Sequence, residues 1–545
     1  NWGLSPSRTS APGHQKCCLT GLGPATVTVT VTSDFNTLWK APLIQINVRQ
    51  CRYCYRHCQY IRELYPPMNT VHSDLVASTA VATRHQADMN LAKKYASQGP
   101  RYTSYPTAPQ FRRDFPMQQY RDWQNSDGDH QRAPLSLYLH VPFCSDICYY
   151  CACNKIVTRK KNVAQQYLKS LQHEIILQSE LVGDQRPITQ MHWGGGTPTY
   201  LDHAQITELM HLLASHFRLL DKGYREYSIE IDPRTVENST IALLKGVGFN
   251  RISLGIQDFD PLVQKAVNRV QSYPQIASLV DCIRAHNFRS LSFDLIYGLP
   301  HQDRHTMTET LGKVISLRPD RIACYNYAHL PERFSSQRAI DRLSLPEPNE
   351  KLLLHEIISH TLQDAGYLHI GMDHYVMPQD ELAVAQGEGR LQRNFQGYSL
   401  HMADDLLGLG VSSISQIGDF YLQNERELDA YYQLLDAGAL PVTRGCRVND
   451  DDKLRRHIIM TLISELKLDI SDCNRQFGID FSHMFQRQLD QLAPMVADQL
   501  LEISENTISV TKRGRPFLRN ICMLFDAYLG AHKGDESAPK FSATV

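Results

Sequence analysis

Residues 138–153 read YLHVPFCSDICYYCAC, and this stretch decides the fold class. Its first residues belong to an apolar and aromatic run at 135–141, which has the composition of a buried strand. The run leads directly into Cys144, Cys148 and Cys151, spaced C-x₃-C-x₂-C. We therefore predict a strand that delivers three thiols to one short loop at its carboxyl end.

Strand-like and helix-like segments alternate after this first strand. Six apolar, β-branched or aromatic runs occur at 135–141, 190–193, 227–231, 251–256, 291–297 and 321–327. Segments with helical spacing lie between them, at 163–181, 204–216, 239–245, 261–267, 274–286 and 307–317. Such alternation indicates parallel βαβ units. We predict an α/β fold, a partial (β/α)6 barrel over residues 134–345, with its chemistry at the carboxyl ends of the strands.

Three regions flank the predicted barrel. Residues 89–133 are expected to form an N-terminal arm or lid. Residues 346–545 are expected to form a helix-rich domain that contributes to the substrate site. Its predicted elements are amphipathic helices at 351–365 and 451–466, a hairpin at 501–503 and 507–510, and a terminal helix at 516–529. Pro516 suits a first helical position, where its missing N–H would be unpaired anyway.

Residues 1–88 differ from the rest of the chain. They contain the alternating run ATVTVTVT at 25–32 and three cysteines, Cys51, Cys54 and Cys58. One interpretation is a second metal site on these cysteines. The interpretation we favour is a disordered leader outside the fold, with natural starts at Met68 or Met89.

The cysteine spacing favours a [4Fe–4S] cluster over zinc. Structural zinc sites take two separated ligand pairs that close a tetrahedron, and no second pair is suitably placed in this chain. A [4Fe–4S] cluster takes a thiolate for each iron, so three thiolates from one loop leave one iron open for another ligand. Tyr150, between the second and third cysteines, would shield the cluster from solvent.

Composition excludes several classes of protein. The chain has 545 residues, of which 42% are hydrophobic and 21% charged, near the average for globular proteins. Its 56 basic and 57 acidic residues give a net charge of −1, which predicts no nucleic-acid partner. The sequence contains no run of about twenty apolar residues, so we predict no membrane-spanning segment. The clustered cysteines and the absence of a secretory signal at residues 1–10 favour the cytoplasm.

The cysteine loop and a second motif together resemble the radical S-adenosylmethionine (SAM) superfamily. The second motif is WGGGTPT at 193–199, at the end of the second predicted strand. Glycines there would let backbone groups approach a ligand closely. The resemblance implies that SAM chelates the open iron of a [4Fe–4S] cluster and is cleaved to methionine and a 5′-deoxyadenosyl radical.

Further motifs narrow the resemblance to the oxygen-independent coproporphyrinogen III oxidases. They include PRYTSYPTA at 100–108, a fourth cysteine at Cys153, EIDPR at 230–234, GIQD at 255–258, VNR at 267–269, DLIYGLP at 294–300, YNYAHLP at 325–331, GMDH at 371–374, RNFQGY at 393–398 and GLGVSSI at 408–414. The resemblance runs from about Met89 to the carboxyl terminus.

This family resemblance implies roles for individual residues. Cys144, Cys148 and Cys151 would hold the cluster, whereas Cys153 would not ligate iron. One of two SAM molecules would contact Tyr138, Gly195, Glu230, Ala328 and Ile414. The second SAM would contact Tyr150, Gly196, Thr197, Gln257, Arg269 and Asp294. The family commonly has Phe in place of Tyr150, whose hydroxyl therefore needs a partner, and Gly in place of Ala152.

The implied reaction is oxidative decarboxylation of two propionates of coproporphyrinogen III to vinyl groups. It consumes one SAM per vinyl group and needs a low-potential electron donor of flavodoxin or ferredoxin type and an electron acceptor. The four substrate carboxylates need cationic partners, for which Arg101, Arg393 and residues 155–161 are candidates. The family expectation is a monomer.

Two other functions are compatible with parts of the sequence. A haem chaperone of the same superfamily would share the barrel and the three cysteines but bind haem without decarboxylation. Such relatives usually lack the fourth cysteine and the RYTSYP segment and carry a HNxxYW motif, whereas this chain has RNFQGY at 393–398. A structural zinc protein would bind one zinc and would not cleave SAM. The motifs favour the oxidase.

Overall fold

The computed structural model describes three short strands near the amino terminus and most of residues 90–544. The gaps in this second part are residues 127, 129–132, 184, 222–224, 401–404 and 532–540. The three strands, His14–Cys18, Thr28–Thr32 and Ile44–Ile46, pair antiparallel within a unit of residues 1–85. The strand at 28–32 coincides with the alternating run. Cys51, Cys54 and Cys58, and the remainder of the predicted leader, lie outside the described residues.

The second unit, residues 86–545, contains the predicted barrel. Its six parallel strands are β1 (Leu135–Val141), β2 (Pro187–Gly195), β3 (Glu226–Ile231), β4 (Arg251–Gln257), β5 (Ser290–Tyr297) and β6 (Arg321–Asn326). The helices between them are α1 (Asn162–Val182), α2 (His203–His216), α3 (Asn238–Gly246), α4 (Pro261–Ala266), α5 (Tyr273–Ala285) and α6 (Arg304–Leu317). All six predicted strands and all six predicted helices are confirmed within a few residues at each end.

The strands form a sheet in chain order, β1 to β6, and the loops preceding the helices carry strong caps. Asp202, Asp260, Ser272 and Asp303 each accept a hydrogen bond from a backbone amide in the first turn of the helix that follows. These caps satisfy amides that have no partner within the helix. These four helices therefore begin directly after the loops that follow the strand ends.

The sheet continues past the predicted domain boundary at residue 345. Beside β6 lie β7 (Leu368–Ile370) and β8 (His374–Val376), antiparallel to their neighbours. Beside β1 lies β9 (Asp405–Leu409), which is parallel to it, followed by β10 (Ile414–Ile417), β11 (Phe420–Asn424) and β12 (Val442–Arg447). The boundary predicted at 345 therefore does not coincide with an edge of the sheet. Short strands pairing with distant ones leave no alternation signal in sequence.

Three helices accompany this extension. They are α7 (Pro348–Asp364), α8 (Glu381–Gly387) and α9 (Leu428–Asp436). The predicted amphipathic helix at 351–365 corresponds to α7. None of the helices in the described part of the chain is long and apolar enough to cross a membrane.

A second apolar core is formed mainly by residues that follow this sheet in the chain. Around it pack α10 (Asp450–Glu465), α11 (Ile470–Phe477), α12 (Phe481–Met484), α13 (Gln486–Ala497) and a three-stranded sheet of Lys467–Asp469, Leu501–Ile503 and Thr507–Val510. The predicted hairpin is confirmed. The predicted helix at 516–529 is instead divided into a 3-10 turn (Arg515–Phe517), α14 (Leu518–Met523) and α15 (Ala527–Ala531). The division comes at Asp526, whose carboxylate is turned inward to accept a hydrogen bond from Tyr102.

The amino-terminal arm is anchored to the second core. Tyr102 and Tyr105 are buried within it, and the Tyr105 hydroxyl accepts a hydrogen bond from the Ala527 amide. Farther along, Arg112 exchanges backbone hydrogen bonds with Gly445 on β12. The arm therefore joins the end of the chain to the sheet extension, and Arg101 lies at its start.

A buried carboxyl ties the first barrel helix to the sheet extension. Glu174 of α1 is fully buried and accepts hydrogen bonds from the Gly410 amide, the Asn424 side chain and the Tyr431 hydroxyl. Gly410 follows β9, and Asn424 ends β11. Burial raises the pKa of Glu174 to about 7, even though these three donors favour the charged form.

The stability of the fold should therefore depend on the protonation of Glu174. Because its pKa is higher in the folded chain than its usual 4.5, the folded state binds this proton more tightly. This tighter proton binding adds to the free energy of unfolding below pH 4.5, and the contribution is lost as pH rises toward 7. It amounts to at most about 3 kcal/mol, since one pKa unit corresponds to about 1.36 kcal/mol. Urea melts should show the unfolding free energy of wild type falling relative to Glu174→Gln between about pH 5 and 8. A difference independent of pH would contradict this assignment.

Candidate active site

The three cysteines lie on a loop at the carboxyl end of β1, as predicted. Cys144 closes a two-residue strand, Phe143–Cys144, that pairs with Ile156–Val157. The middle of the loop is held from one side by the Tyr149 amide, which donates to the Val267 carbonyl at 3.0 Å. From the same side, Asn268 Nδ2 donates to the Ile147 carbonyl at 2.7 Å. The loop is thus fixed by the segment that follows α4.

The other side of the loop is held by residues that the sequence did not indicate. Gln337 Nε2 donates to the backbone carbonyls of Tyr150 and Ala328, each at 3.1 Å. Ser336 Oγ donates to the Cys151 carbonyl, also at 3.1 Å. Gln337 is almost fully buried, and it lies in an irregular segment that no periodic pattern marks. It joins the cysteine loop to the segment after β6.

The surroundings of two of the three sulfur atoms, those of Cys148 and Cys151, favour the thiolate form. Cys148 Sγ accepts hydrogen bonds from Arg269 Nη1 at 3.5 Å and from Arg234 Nη2 at 3.6 Å. A hydrogen bond from Cys153, with Lys155 and Arg269 nearby, lowers the pKa of Cys151 to about 6. Burial raises the pKa of Cys144 to about 11, although its sulfur lies 3.5 Å from Thr197 Oγ1.

The arrangement of the thiols fits a multi-iron cluster. Within the described part of the chain, no three His, Cys, Asp or Glu side chains are grouped closely enough to hold a single metal ion. A [4Fe–4S] cluster binds each thiolate to a different iron, so its ligands stand farther apart than those of one zinc. Three thiols on one anchored loop, two of them near cations, are a suitable donor set for such a cluster. Cys153, which is exposed, lies next to this set.

The glycine motif at the end of β2 packs closely against the cysteine loop. A Cβ at Gly195 would lie 2.6 Å from the His140 ring, and Gly195 has a φ of +113°, in the region that favours glycine. A Cβ at Gly196 would lie 2.6 Å from the Pro142 carbonyl oxygen. Side chains at these positions would displace both β1 and the start of the loop, so the close packing of the two motifs requires glycine here.

A row of polar side chains crosses the sheet beside the glycine motif. Tyr138 stacks on His192, and His192 Nε2 lies 3.1 Å from Glu230 Oε1. Burial raises the pKa of Glu230, but His192 and the Gly195 amide more than offset this, so its pKa lies below the usual value. On β5, burial and the nearby Glu230 raise the pKa of Asp294 to about 6. Ribose hydroxyls and an ammonium group are suitable partners for this pair of carboxyls.

A second polar group surrounds Arg269. Its guanidinium donates to the Gly255 carbonyl at 2.7 Å and to Asp232 Oδ2 at 3.1 Å, in addition to Cys148. Asp232 also binds Arg234. Asp232 and Arg234 both belong to the EIDPR motif, but their spacing along the chain did not indicate that they would lie close to the cysteine loop. Gln257 ends β4 beside a register shift with a φ of +67°, which directs its side chain toward Gly255.

The two remaining predicted residues lie at opposite ends of the row of six strands. Ala328 follows β6 and is joined to the cysteine loop by Gln337. Ile414 begins β10. Its carbonyl oxygen packs closely on Gly408, since a Cβ added to Gly408 would lie only 2.6 Å from that oxygen. Gly408 is in register with Tyr138 on the neighbouring strand. The structure thus brings Ile414 to the β1 side of the site, although about 270 residues separate it from the cysteine loop.

Comparison with known proteins identifies the family. Residues 138–314 match the model of the radical SAM superfamily, and residues 448–517 match that of the HemN C-terminal domain. The oxygen-independent coproporphyrinogen III oxidase of Pseudomonas aeruginosa is 47% identical over 81% of this chain and 96% of its own length. The chain belongs to this family. The Escherichia coli enzyme is also 47% identical, over 81% of this chain and 95% of its own.

A solved structure agrees with the assignment. The Escherichia coli protein described as coproporphyrinogen III oxidase (HemN), a radical SAM enzyme, superposes with a TM-score of 0.76 at 45% identity. It covers 79% of this chain and 100% of that one. The partial barrel with a carboxyl-terminal helical domain is therefore the family fold. The radical SAM family uses a [4Fe–4S] cluster and SAM, which accords with the thiol loop and the glycine motif.

Proposed function

We propose that this protein converts coproporphyrinogen III to protoporphyrinogen IX without oxygen. The observation that carries the proposal is the anchored three-cysteine loop beside the glycine motif. It occurs in a chain that is 47% identical to an oxygen-independent coproporphyrinogen III oxidase. Each propionate would be converted to a vinyl group with release of CO₂, methionine and 5′-deoxyadenosine. One electron enters when SAM is cleaved and one leaves with each vinyl group formed, so the steps balance.

Cys144, Cys148 and Cys151 would hold the cluster, which when bound supplies the electron that cleaves SAM. The protein's own residues would bind and orient the substrates. Arg234 and Arg269 would donate hydrogen bonds to the Cys148 sulfur, and such donors tune a cluster's potential.

We propose two SAM positions around the polar row. Tyr138, Gly195, Glu230, Ala328 and Ile414 would form the first, in which the Glu230 carboxylate accepts hydrogen bonds. The second would comprise Tyr150, Gly196, Thr197, Gln257, Arg269 and Asp294. Arg269 already binds Asp232 and the Gly255 carbonyl, so a SAM carboxylate would have to share its guanidinium. The Tyr150 hydroxyl lies beside Cys148 and Arg269, which provide the partner that a phenol at this position needs.

The protein is further proposed to act as a cytoplasmic monomer. It would take electrons from a flavodoxin- or ferredoxin-like donor and pass one electron per vinyl group to a separate acceptor. The partly exposed Cys144 and Cys151 leave the cluster loop within reach of solvent and of a small donor protein.

An anaerobic assay tests the proposal. Protein reconstituted with iron and sulfide is mixed with SAM, a low-potential reductant and coproporphyrinogen III, and products are followed by mass spectrometry. The expected result is protoporphyrinogen IX with about two 5′-deoxyadenosines per turnover, one for each vinyl group formed. Deoxyadenosine without decarboxylation, together with tight haem binding, would instead indicate a haem chaperone. A single bound zinc without SAM cleavage would contradict both functions.

A further inference from the structure

Four cations surround a small cavity at the outer edge of β6. Arg101, Lys351, Arg515 and Arg519 line it together with Asp373, Tyr325 and Asn326. β8 pairs with β6 only along Arg321–Ala323. Beyond these residues, the Cys324 amide donates to the Asp373 carbonyl at 2.8 Å, and the Asn326 carbonyl accepts a hydrogen bond from Arg101. The cavity lies against that edge, at the carboxyl end of the sheet.

Among the described residues, these cations are held by backbone carbonyls, and no carboxylate is paired with them. Arg101 donates to the Asn326 carbonyl at 2.8 Å, and Lys351 donates to the Tyr327 carbonyl at 3.1 Å. Arg515 donates to the His369 carbonyl at 2.6 Å. Arg519 donates to carbonyls of the arm and of residues 542–543. The positive charges are thus held in place without a carboxylate partner in the described part of the chain.

Within the described residues that line the cavity, Asp373 is the one carboxylate, and it already binds Arg393 and His374. Val545, next to the lining residue Thr544, lies outside the described residues. Burial lowers the pKa of Lys351 and of Arg515, and burial together with Arg101 lowers the pKa of Arg519 to about 10. These shifts are those of cations that lack a negative partner, which an anion would supply.

The size of the cavity limits the anion that fits. Its volume is about 90 Å³, whereas sites for whole drug-sized ligands measure about 300–1,000 Å³. A carboxylate with its methylene chain fits such a space, but a whole porphyrinogen does not. The cavity is also close to the polar row, because Tyr325 is paired with Ile296, two residues beyond Asp294 on β5.

We propose that this cavity binds one propionate carboxylate of the porphyrinogen substrate, and that this propionate is retained in the product. A carboxylate among four cations is stabilised as an anion, and it would lose that stabilisation on leaving as neutral CO₂. Decarboxylation is therefore disfavoured at this position. The site would instead anchor the ring so that another propionate reaches the reacting centre. This inference rests on the proposed function, since it assumes a porphyrinogen substrate.

Binding of oxidised porphyrins to the reconstituted protein tests the proposal without turnover. Coproporphyrin III has four propionates, and deuteroporphyrin IX has only the two that the reaction retains. In Lys351→Gln and in Arg515→Gln, tryptophan-quenching titrations should give dissociation constants for both ligands about tenfold or more above wild type, the loss expected for one charge-assisted hydrogen bond. Lys351→Arg should bind nearly as wild type does. The exposed Lys512→Gln is the matched control, and thermal melts confirm that each variant is folded.

Two results would overturn the retained-propionate site. Unchanged dissociation constants in both variants would mean that the cations serve the fold alone. A loss confined to coproporphyrin III would mean that the cavity holds a propionate that is removed. Failure of wild type to bind coproporphyrin III and to convert coproporphyrinogen III would contradict the proposed function itself, and this outcome is distinct from the other two.

Discussion

Cys148→Ser is expected to yield a folded protein that neither retains a [4Fe–4S] cluster nor cleaves SAM. Serine oxygen is a much poorer ligand for iron than thiolate, and the remaining thiols, Cys144 and Cys151, leave two irons of the cluster without a protein ligand. Activity should fall to about 1% of wild type or less, the loss of about 2.7 kcal/mol or more in transition-state stabilisation. Iron content, the visible absorption of the reconstituted protein and 5′-deoxyadenosine formation measure the effect.

Two other cysteines provide controls for this result. Cys282→Ser replaces a partly exposed thiol on α5, away from the loop, and should leave iron content and activity unchanged. Cys153→Ser should retain the cluster if this fourth cysteine is not a ligand. Full SAM cleavage by Cys148→Ser would show that the ligand set is wrong, and loss of iron in Cys153→Ser would add a ligand to it.

Gly195→Ala is expected to remove SAM cleavage almost completely while leaving the barrel folded. The new Cβ would lie 2.6 Å from the buried His140 ring, and alanine is strained at a φ of +113°. His140 cannot easily move, because its Nε2 lies 2.9 Å from the Asn154 carbonyl just beyond the cysteine loop. A displacement of about 1 Å at such a site costs about a hundredfold in rate. The single-turnover rate of deoxyadenosine formation measures the loss.

Gly246→Ala is the matched control for this substitution. Gly246 ends α3, and a Cβ there would meet no atom within 4 Å. Alanine in a helix is about 0.5–1 kcal/mol more favourable than glycine, so this variant should be as active as wild type and slightly more stable. If Gly195→Ala also cleaved SAM at the wild-type rate, the glycine motif would not be a SAM site.

Features that leave a periodic pattern or a fixed spacing in the sequence were predictable. The six strands and helices of the barrel each repeat a local pattern, and the C-x₃-C-x₂-C loop follows directly from the first of them. Chain-order adjacency of parallel strands then places Gly195, Glu230 and Asp294 along one end of the sheet, where the structure finds them. Local chemistry along the chain is sufficient for these features.

Features that join distant segments were not predictable. Gln337 holds the cysteine loop, Glu174 ties α1 to β9 and β11, and four cations from three separate regions meet beside β6. The sheet extension, which places Ile414 near Tyr138, consists of short strands whose partners lie far away in the chain.

The fold class, the cluster loop and the family to which the chain belongs are therefore readable from the amino-acid sequence, because each follows from residue type and spacing. The folded structure was needed to show where the arm is anchored, which side chains hold the loop and where four cations of the described residues come together. The physical reason is that hydrogen bonds and charge compensation depend on distances between side chains in space, and spacing along the chain does not report them for residues hundreds of positions apart.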